Sequence, residues 1–519
     1  MPDPLDFSKL LFARGYMLGT EELAVENKLL NDLIGWKCQT ITGHSLHWHP
    51  AVAPLIERTQ DRGVILIGNA VNPFTNEVER EVTSKIFRLF SSQSPSGRIA
   101  QQTIDYINQL TGRFRIFLID ESGPLAISDA AGLASIYFSQ TGERAAFSSH
   151  SQLLAELVGA ERDKNIQQII DCRSFKLGRT NLPGYKSPFK GIELVGANVY
   201  YSTALKKRVR IFPLEPLNDT SRPLSDTIDE SIEILRNTAR IYMANRTLQF
   251  SLSLGQDSRI NLSAFHPWRR QIRAHSYCGS PTETVEAYKV HEFSKRMNLE
   301  HEVISLDSVT ESDCQDMSRT LARSTAYMRK HKSSEIRKLV AMSYWFPEGA
   351  LEIKGEASEI TRATYCKRIG IRQFPPMDVR VMTNLYKRIL FPRYIVRSVD
   401  NYFEQFVYDA GFGFAALGYD DYDLFFWEHR NACGVSLGMQ DHDIYRDSTS
   451  LMNNRLLLRN FLQAGLNDRI KDTMHRVVSE RLWPGILDTP TSARTSVRAR
   501  ARILAERTFF YVNRMDARA

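Results

Sequence analysis

Three serines, a glycine and an aspartate crowd the stretch Ser251-Leu-Ser-Leu-Gly-Gln-Asp-Ser258. The hydroxyls of Ser253 and Ser258 are donors for an anion, and Gly255 lets backbone approach it closely. Leu248, Phe250 and Leu252 alternate as a strand does ahead of this turn; Ile260, Leu262 and Phe265 suit a helix after it. Strand, small-residue turn and helix together aim free N–H groups and the positive end of a helix dipole at a phosphate. Asp257 would repel a bare phosphate, but suits one bridged through Mg²⁺. Ser251, Ser253, Gly255, Gln256, Asp257 and Ser258 are therefore candidate nucleotide contacts, with Asp257 as metal ligand. The turn lacks the Gly-Lys-Ser/Thr ending of a Walker A loop. Taken alone, its composition also suits an ordinary loop.

A second constellation lies about a hundred residues on. Ala350-Leu-Glu-Ile-Lys354 reads as a strand that runs into Gly355-Glu-Ala-Ser-Glu359. A strand ending in a glycine followed by two carboxylates is either a solvated turn or a site loop. Between the two stretches, Gln271–Tyr277 and Glu302–Leu306 read as strands and Thr282 to about Met297 as a helix. Strands and helices alternating in this way predict a parallel, doubly wound sheet whose ligands sit beyond the carboxyl ends of its strands. Tyr277 then falls beside the nucleotide, with backbone near His275 to Cys278 facing the base. His275 itself is expected to be packed.

Composition sets the frame. The chain has 519 residues, 43% apolar and 24% charged, with a net charge of +8. That length predicts two or more domains. No Lys/Arg block suggests nucleic-acid binding, and no apolar run is long enough to span a membrane. The six scattered cysteines show no zinc spacing, and the N-terminal Met1-Pro-Asp-Pro does not read as a signal peptide. A cytoplasmic protein with reduced thiols is the expectation. Residues 1–215 carry short strand runs such as Gly63–Gly68, Gly112–Asp120, Leu125–Ser128 and Ala145–Ser148, with helices near Ile99–Leu110 and Ser151–Val158. They predict an α+β domain. Arg210–Pro223, with its three prolines, reads as the linker to a second, α/β domain over 216–519.

In order and content these motifs resemble the asparagine synthetase family. Ser253-Leu-Gly-Gln-Asp-Ser258 resembles the family's pyrophosphatase (PP) loop, Ser-Gly-Gly-x-Asp-Ser, with Leu254 in place of the first glycine. Gly355–Glu359 resembles its Gly-Glu-Gly-Ser-Asp-Glu loop shortened by one acid. Gly112–Asp120, Asp129–Gly132, Tyr137-Phe138 and Phe147–Ser149 follow the pattern of its glutaminase domain. The resemblance implies an N-terminal Ntn-hydrolase-like fold and a C-terminal PP-loop, adenine-nucleotide α-hydrolase-like synthetase fold with added helices. It implies ATP and Mg²⁺, with Asp257 and Glu359 on the metal, Gly355 at the nucleotide, and Glu356 near the reacting carbonyl, where a Tyr–Glu pair with Tyr365 or one carboxylate takes a proton from the amine. The family's late Arg-x-Lys has no lysine here; Arg494 or Arg498 is the substitute.

The family's glutaminase nucleophile is an N-terminal cysteine, and here Pro2 follows Met1. Cys38 is expected to be a small buried residue, so the first domain is read as a scaffold, or as a docking surface for a peptide or carrier protein, without glutaminase action. The implied activity is adenylation of a carboxylate, then attack by an amine, including ring closure as in the β-lactam synthetase and lasso-peptide cyclase branch. The substrates would be small molecules or peptides bearing a carboxylate and an amine. Two alternatives stand: an amidotransferase making a carboxamide such as asparagine or a sugar uronamide, and a non-catalytic nucleotide-binding relative.

Overall fold

The structure is a computed structural model that describes residues 5–20, 29, 33–177, 181–217, 223–307, 309–372, 374–386, 392–490, 501, 503–505, 507, 508 and 510. Alternating apolar residues build its first half. On Gly63–Val71 (β5), Val64 and Leu66 face one way and Ile65 and Ile67 the other, and all four are buried. β5 pairs antiparallel with Thr111–Asp120 (β6), which continues into Gly123–Ser128 (β7) and Val199–Ser202 (β11). Leu55–Arg58 (β4) and Lys207–Arg210 (β12) close the edges of this six-stranded sheet. A second six-stranded sheet runs in the order Glu193–Leu194 (β10), Tyr137–Thr141 (β8), Arg144–Ser148 (β9), Tyr16–Thr20 (β1), His44–Trp48 (β3), Lys37–Ile41 (β2).

The two sheets pack face to face. Phe117 and Ile65 meet Tyr16, Leu46 and Phe147 in one apolar cluster. The outer face of the first sheet is covered by Val82, Ile86 and Phe90 of helix Glu79–Ser91 and by Ile104 and Ile107 of helix Gln101–Asn108. Met17 and Ala146 of the second join a cluster with Leu153, Leu154 and Ile166 of helices Ser151–Val158 and Lys164–Asp171. The result is a four-layer helix–sheet–sheet–helix sandwich, compatible with the Ntn-like layering expected. The strands Gly63–Gly68 and Gly112–Asp120 lie where the alternation placed them. β1 to β3, and the helix Glu79–Ser91, were not anticipated.

In the second half, Leu248–Ser251 (β13) is the middle of a five-stranded sheet ordered Glu300–Ser305 (β15), Arg273–Cys278 (β14), β13, Leu351–Ile353 (β16), Asp447–Thr449 (β17). Every pairing is parallel. From β13 the chain first builds outward through β14 to β15, then returns to β13's other side for β16 and β17. The order therefore reverses between β13 and β16, and at such a switch point the loops leaving the two carboxyl ends diverge to open a crevice. Helices Gln256–Ser263, Pro281–Met297, Glu311–Ser324 and Ser333–Trp345 lie in the crossovers from β13 to β16.

The halves meet through buried polar contacts. Arg113 on β6 forms a fork with Asp443 at 2.5 and 2.8 Å. Asn453 donates to the Gly112 carbonyl at 2.6 Å, and Trp427 Nε1 to the Ala130 carbonyl at 2.7 Å. No described helix is long and apolar enough to cross a membrane.

Candidate nucleotide and acyl-transfer site

The loop after β13 and the loop after β16 touch. A Cβ added to Gly355 would lie 2.8 Å from the Asp257 carbonyl carbon and from the Ser258 nitrogen, so only glycine lets these backbones come this close. Gly255 caps the helix Gln256–Ser263 with extended backbone. Its N–H donates to Ser253 Oγ at 3.2 Å, and Ser253 and Ser258 share a hydroxyl hydrogen bond of 2.8 Å. Two donors are thereby gathered at the helix's positive end.

A cavity of about 780 Å³ opens at this point. Ser251, Ser253, Asp257 and Ser258 line it from the first loop, Gly355, Glu356 and Glu359 from the second, and Tyr277 from β14. Leu254, standing where a glycine was expected, is 3% exposed and belongs to the apolar core, not to the cavity wall. The bend is not plugged. Gln256 is buried and, with Gly255, lies behind the wall rather than on it. Arg329, Lys330 and Lys332 add a basic side to the cavity, a favourable field for a polyanion.

Besides Gly255 and Gln256, two placements differ from the sequence reading. Tyr365, expected as Glu356's partner in proton transfer, is 4% exposed and stacks on Phe425 with ring centroids 6.1 Å apart. Burial pushes its phenol far above the ordinary tyrosine range, and it does not line the cavity. It is core, because an aromatic cluster of Phe403, Phe425 and Phe426 offers more apolar contact than the loop does. Cys38, expected to be buried, is exposed on the edge strand β2, its sulfur 3.4 Å from His47 Nε2. Arg494 and Arg498 lie outside the described residues.

The acids at the site are held differently. Arg362 Nη1 sits 2.6 and 2.8 Å from the two Asp257 oxygens, and the Ser358 hydroxyl also donates to Asp257. The same guanidinium grips Asp472 at 2.8 and 2.9 Å, and these two carboxylates help drive its pKa up against the effect of burial. The loop carrying Arg362 is strained: Ala357 and Ala363 both adopt left-handed backbone, at φ 68° and 47°. Such conformations cost about 1 kcal/mol or more each for alanine and cluster at functional sites. Glu359 is exposed at the cavity. Among the described residues no group of three or more His, Cys, Asp and Glu side chains could hold a metal alone. Mg²⁺ at nucleotides needs only one or two carboxylates, since phosphates and water complete its shell. Asp257 and Glu359 are two such carboxylates on the cavity wall, and Arg362 holds both Asp257 oxygens.

Sequence reasoning missed Lys354. It follows β16, lines the cavity, and donates from Nζ to His442 Nδ1 at 3.1 Å. It also lines a smaller adjoining chamber of about 320 Å³. There His275, 1% exposed and packed on Trp345 as expected of a core histidine, leaves Nδ1 without a hydrogen-bond partner among the described residues.

No protein-family model and no curated protein matches the chain. Solved structures similar to part of it include the allosteric regulatory enzyme of purine biosynthesis, at 12% identity and a TM-score of 0.23, covering 47% of this chain and 56% of that one. Another is the glutamine phosphoribosylpyrophosphate amidotransferase from B. subtilis complexed with ADP and GMP, at 11% identity and a TM-score of 0.22, covering 70% and 73%. At these scores the likeness carries no argument, and the architecture rests on the sheets themselves.

Proposed function

We propose that the protein is an ATP-dependent, amide-forming ligase of asparagine synthetase type, working through an acyl-adenylate. The convergence of the Ser253–Ser258 and Gly355–Glu359 loops at the sheet's switch point carries this reading. Hydroxyls of Ser253 and Ser258 and the N-terminus of helix Gln256–Ser263 would bind the phosphates, with Tyr277 beside the nucleoside. Asp257 and Glu359 would hold Mg²⁺, which neutralises phosphate charge when bound.

A substrate carboxylate oxygen attacks the α-phosphorus, the bond to the bridging oxygen breaks, and pyrophosphate leaves. An amine nitrogen then attacks the acyl carbon, AMP departs, and the proton shed by the amine passes to the Glu356 carboxylate. With Tyr365 in the core, Glu356 acts without it. Donors fixed before reaction stabilise the developing charge more cheaply than water could. The same site in a non-catalytic nucleotide-binding relative is the second reading, favoured by Arg362's grip on Asp257.

The test is pyrophosphate release from Mg²⁺·ATP with a panel of carboxylates and amines. Turnover that vanishes in Asp257→Ala supports the ligase; turnover unchanged by that substitution contradicts it.

A further inference from the structure

Most of the half-buried or buried cations around the two chambers are matched to carboxylates; Lys354 and Arg430 are the exceptions among the described residues. Arg446 pairs with Glu352, Arg329 with Asp441, and Lys338 with Glu283. Lys354 makes no ion pair among the described residues; its ammonium donates to a histidine. His442 is held well below its ordinary pKa by burial, and by the positive charges of Lys354, Arg446, Arg329 and Arg113. It is therefore neutral at ordinary pH, and orients the ammonium without cancelling its charge. Burial, and then Arg446, lower the Lys354 pKa; Arg113 adds to this, while Glu352 and Glu356 oppose it. A partly desolvated cation with only a neutral partner is costly, and an incoming anion removes that cost.

Its position is equally specific. β16 pairs with β13 in parallel, Ile353 opposite Phe250, so Lys354 stands level with Ser251 where the two strands end. Its backbone is fixed by donation to the Thr449 carbonyl at 2.9 Å. The next residue, Gly355, rests against Asp257 and Ser258. Lys354 lines both chambers, and thus stands at their shared boundary.

We propose that Lys354 is a catalytic residue, the cation that meets the phosphate oxygens of the bound nucleotide at the junction of the two chambers, oriented by His442. This rests on the ligase reading above and adds to it the residue that receives the pyrophosphate charge. A flexible ammonium with several donors can follow that charge as the bridging oxygen departs.

Calorimetry on the full chain with Mg²⁺ tests it, using α,β-methylene-ATP and inorganic pyrophosphate as probes. Lys354→Met should weaken both by about tenfold or more, Lys354→Arg should recover part of the loss, and Lys295→Met, on an exposed helix face, should match wild type. Lys354→Met binding within about twofold of wild type overturns the proposal while leaving the ligase reading intact. Wild type binding neither probe overturns both. Should Lys354→Met not fold, the wild-type chain still decides. Pyridoxal 5′-phosphate condenses with an amine to an imine, which borohydride fixes. Lys354 should be labelled and shielded by pyrophosphate; labelling of Lys354 that pyrophosphate does not slow contradicts the assignment.

Discussion

The two halves of the chain use their buried polar groups in contrasting ways. In the antiparallel sandwich, Arg113 is joined to Asp443, and the carbonyls of Ser128 and Asp129 receive Arg455. The polar residues named there serve the junction. In the parallel half, Lys354 has a neutral partner, and Asp441 Oδ1 and Arg446 Nε lack hydrogen-bond partners among the described residues beside a cavity. Buried polar atoms without partners cost stability and call for an explanation. The contrast teaches where to look for a ligand: at the sheet whose loops diverge around a cavity, rather than at the one whose named charges tie the two halves together.

The largest effect should come from breaking the junction. Arg113→Ala strands Asp443 in the interior, and removing one member of a buried pair costs about 3–5 kcal/mol. Denaturant unfolding measures it. Replacing both partners, Arg113→Met with Asp443→Leu, should cost clearly less; equal losses would show that the pair is not the joint.

Next comes chemistry. Asp257→Ala should reduce pyrophosphate release by about 100-fold or more, the scale for removing one preorganised charged group. Cys38→Ala in the first half should leave release unchanged. A large loss there would place the reaction in the wrong half of this comparison.

Leu254 separates packing from binding inside one loop. Leu254→Ala should lower stability by about 2 kcal/mol, the low end for a buried leucine, without weakening ATP, because the side chain turns into the core. Weaker ATP binding at unchanged stability would put Leu254 in the site after all.

The smallest effect is one of pH. His475 lies under the Arg362 loop, its Nε2 3.3 Å from Thr361 Oγ. Burial, and then Arg362, depress its pKa to about 4 from an ordinary 6.5. Between those values the unfolded chain binds the extra proton. The neutral ring's contribution is therefore complete above the upper value and is lost as pH falls toward the lower. His475→Gln should flatten the decline in unfolding free energy across that window. A decline of unchanged slope would show that other groups carry it.

Much of this was legible in the residues, for local reasons. The Ser251–Ser258 turn announces itself because a strand, small residues and a helix start sit side by side in sequence. The parallel order was legible too, since strands and helices alternate. What escaped depends on neighbours distant in sequence. Lys354 meets His442 at the end of the helix Ser436–His442, which precedes β17, the neighbour of β16. Arg362 reaches Asp257 and Asp472 across more than a hundred residues. Tyr365 is near Glu356 in sequence, yet its ring has better company among Phe425 and Phe426. Cys38 looked apolar and small, but an edge strand's outer residues stay in water whatever their type.

The central claim is that the bend at Gly255 grips a nucleotide through the acid beside it. Titrating ATP with Mg²⁺ into the intact chain by calorimetry tests that most directly. One saturable site, lost in Asp257→Ala while that variant stays folded, is the predicted result; no heat of association from the folded wild-type chain would contradict it.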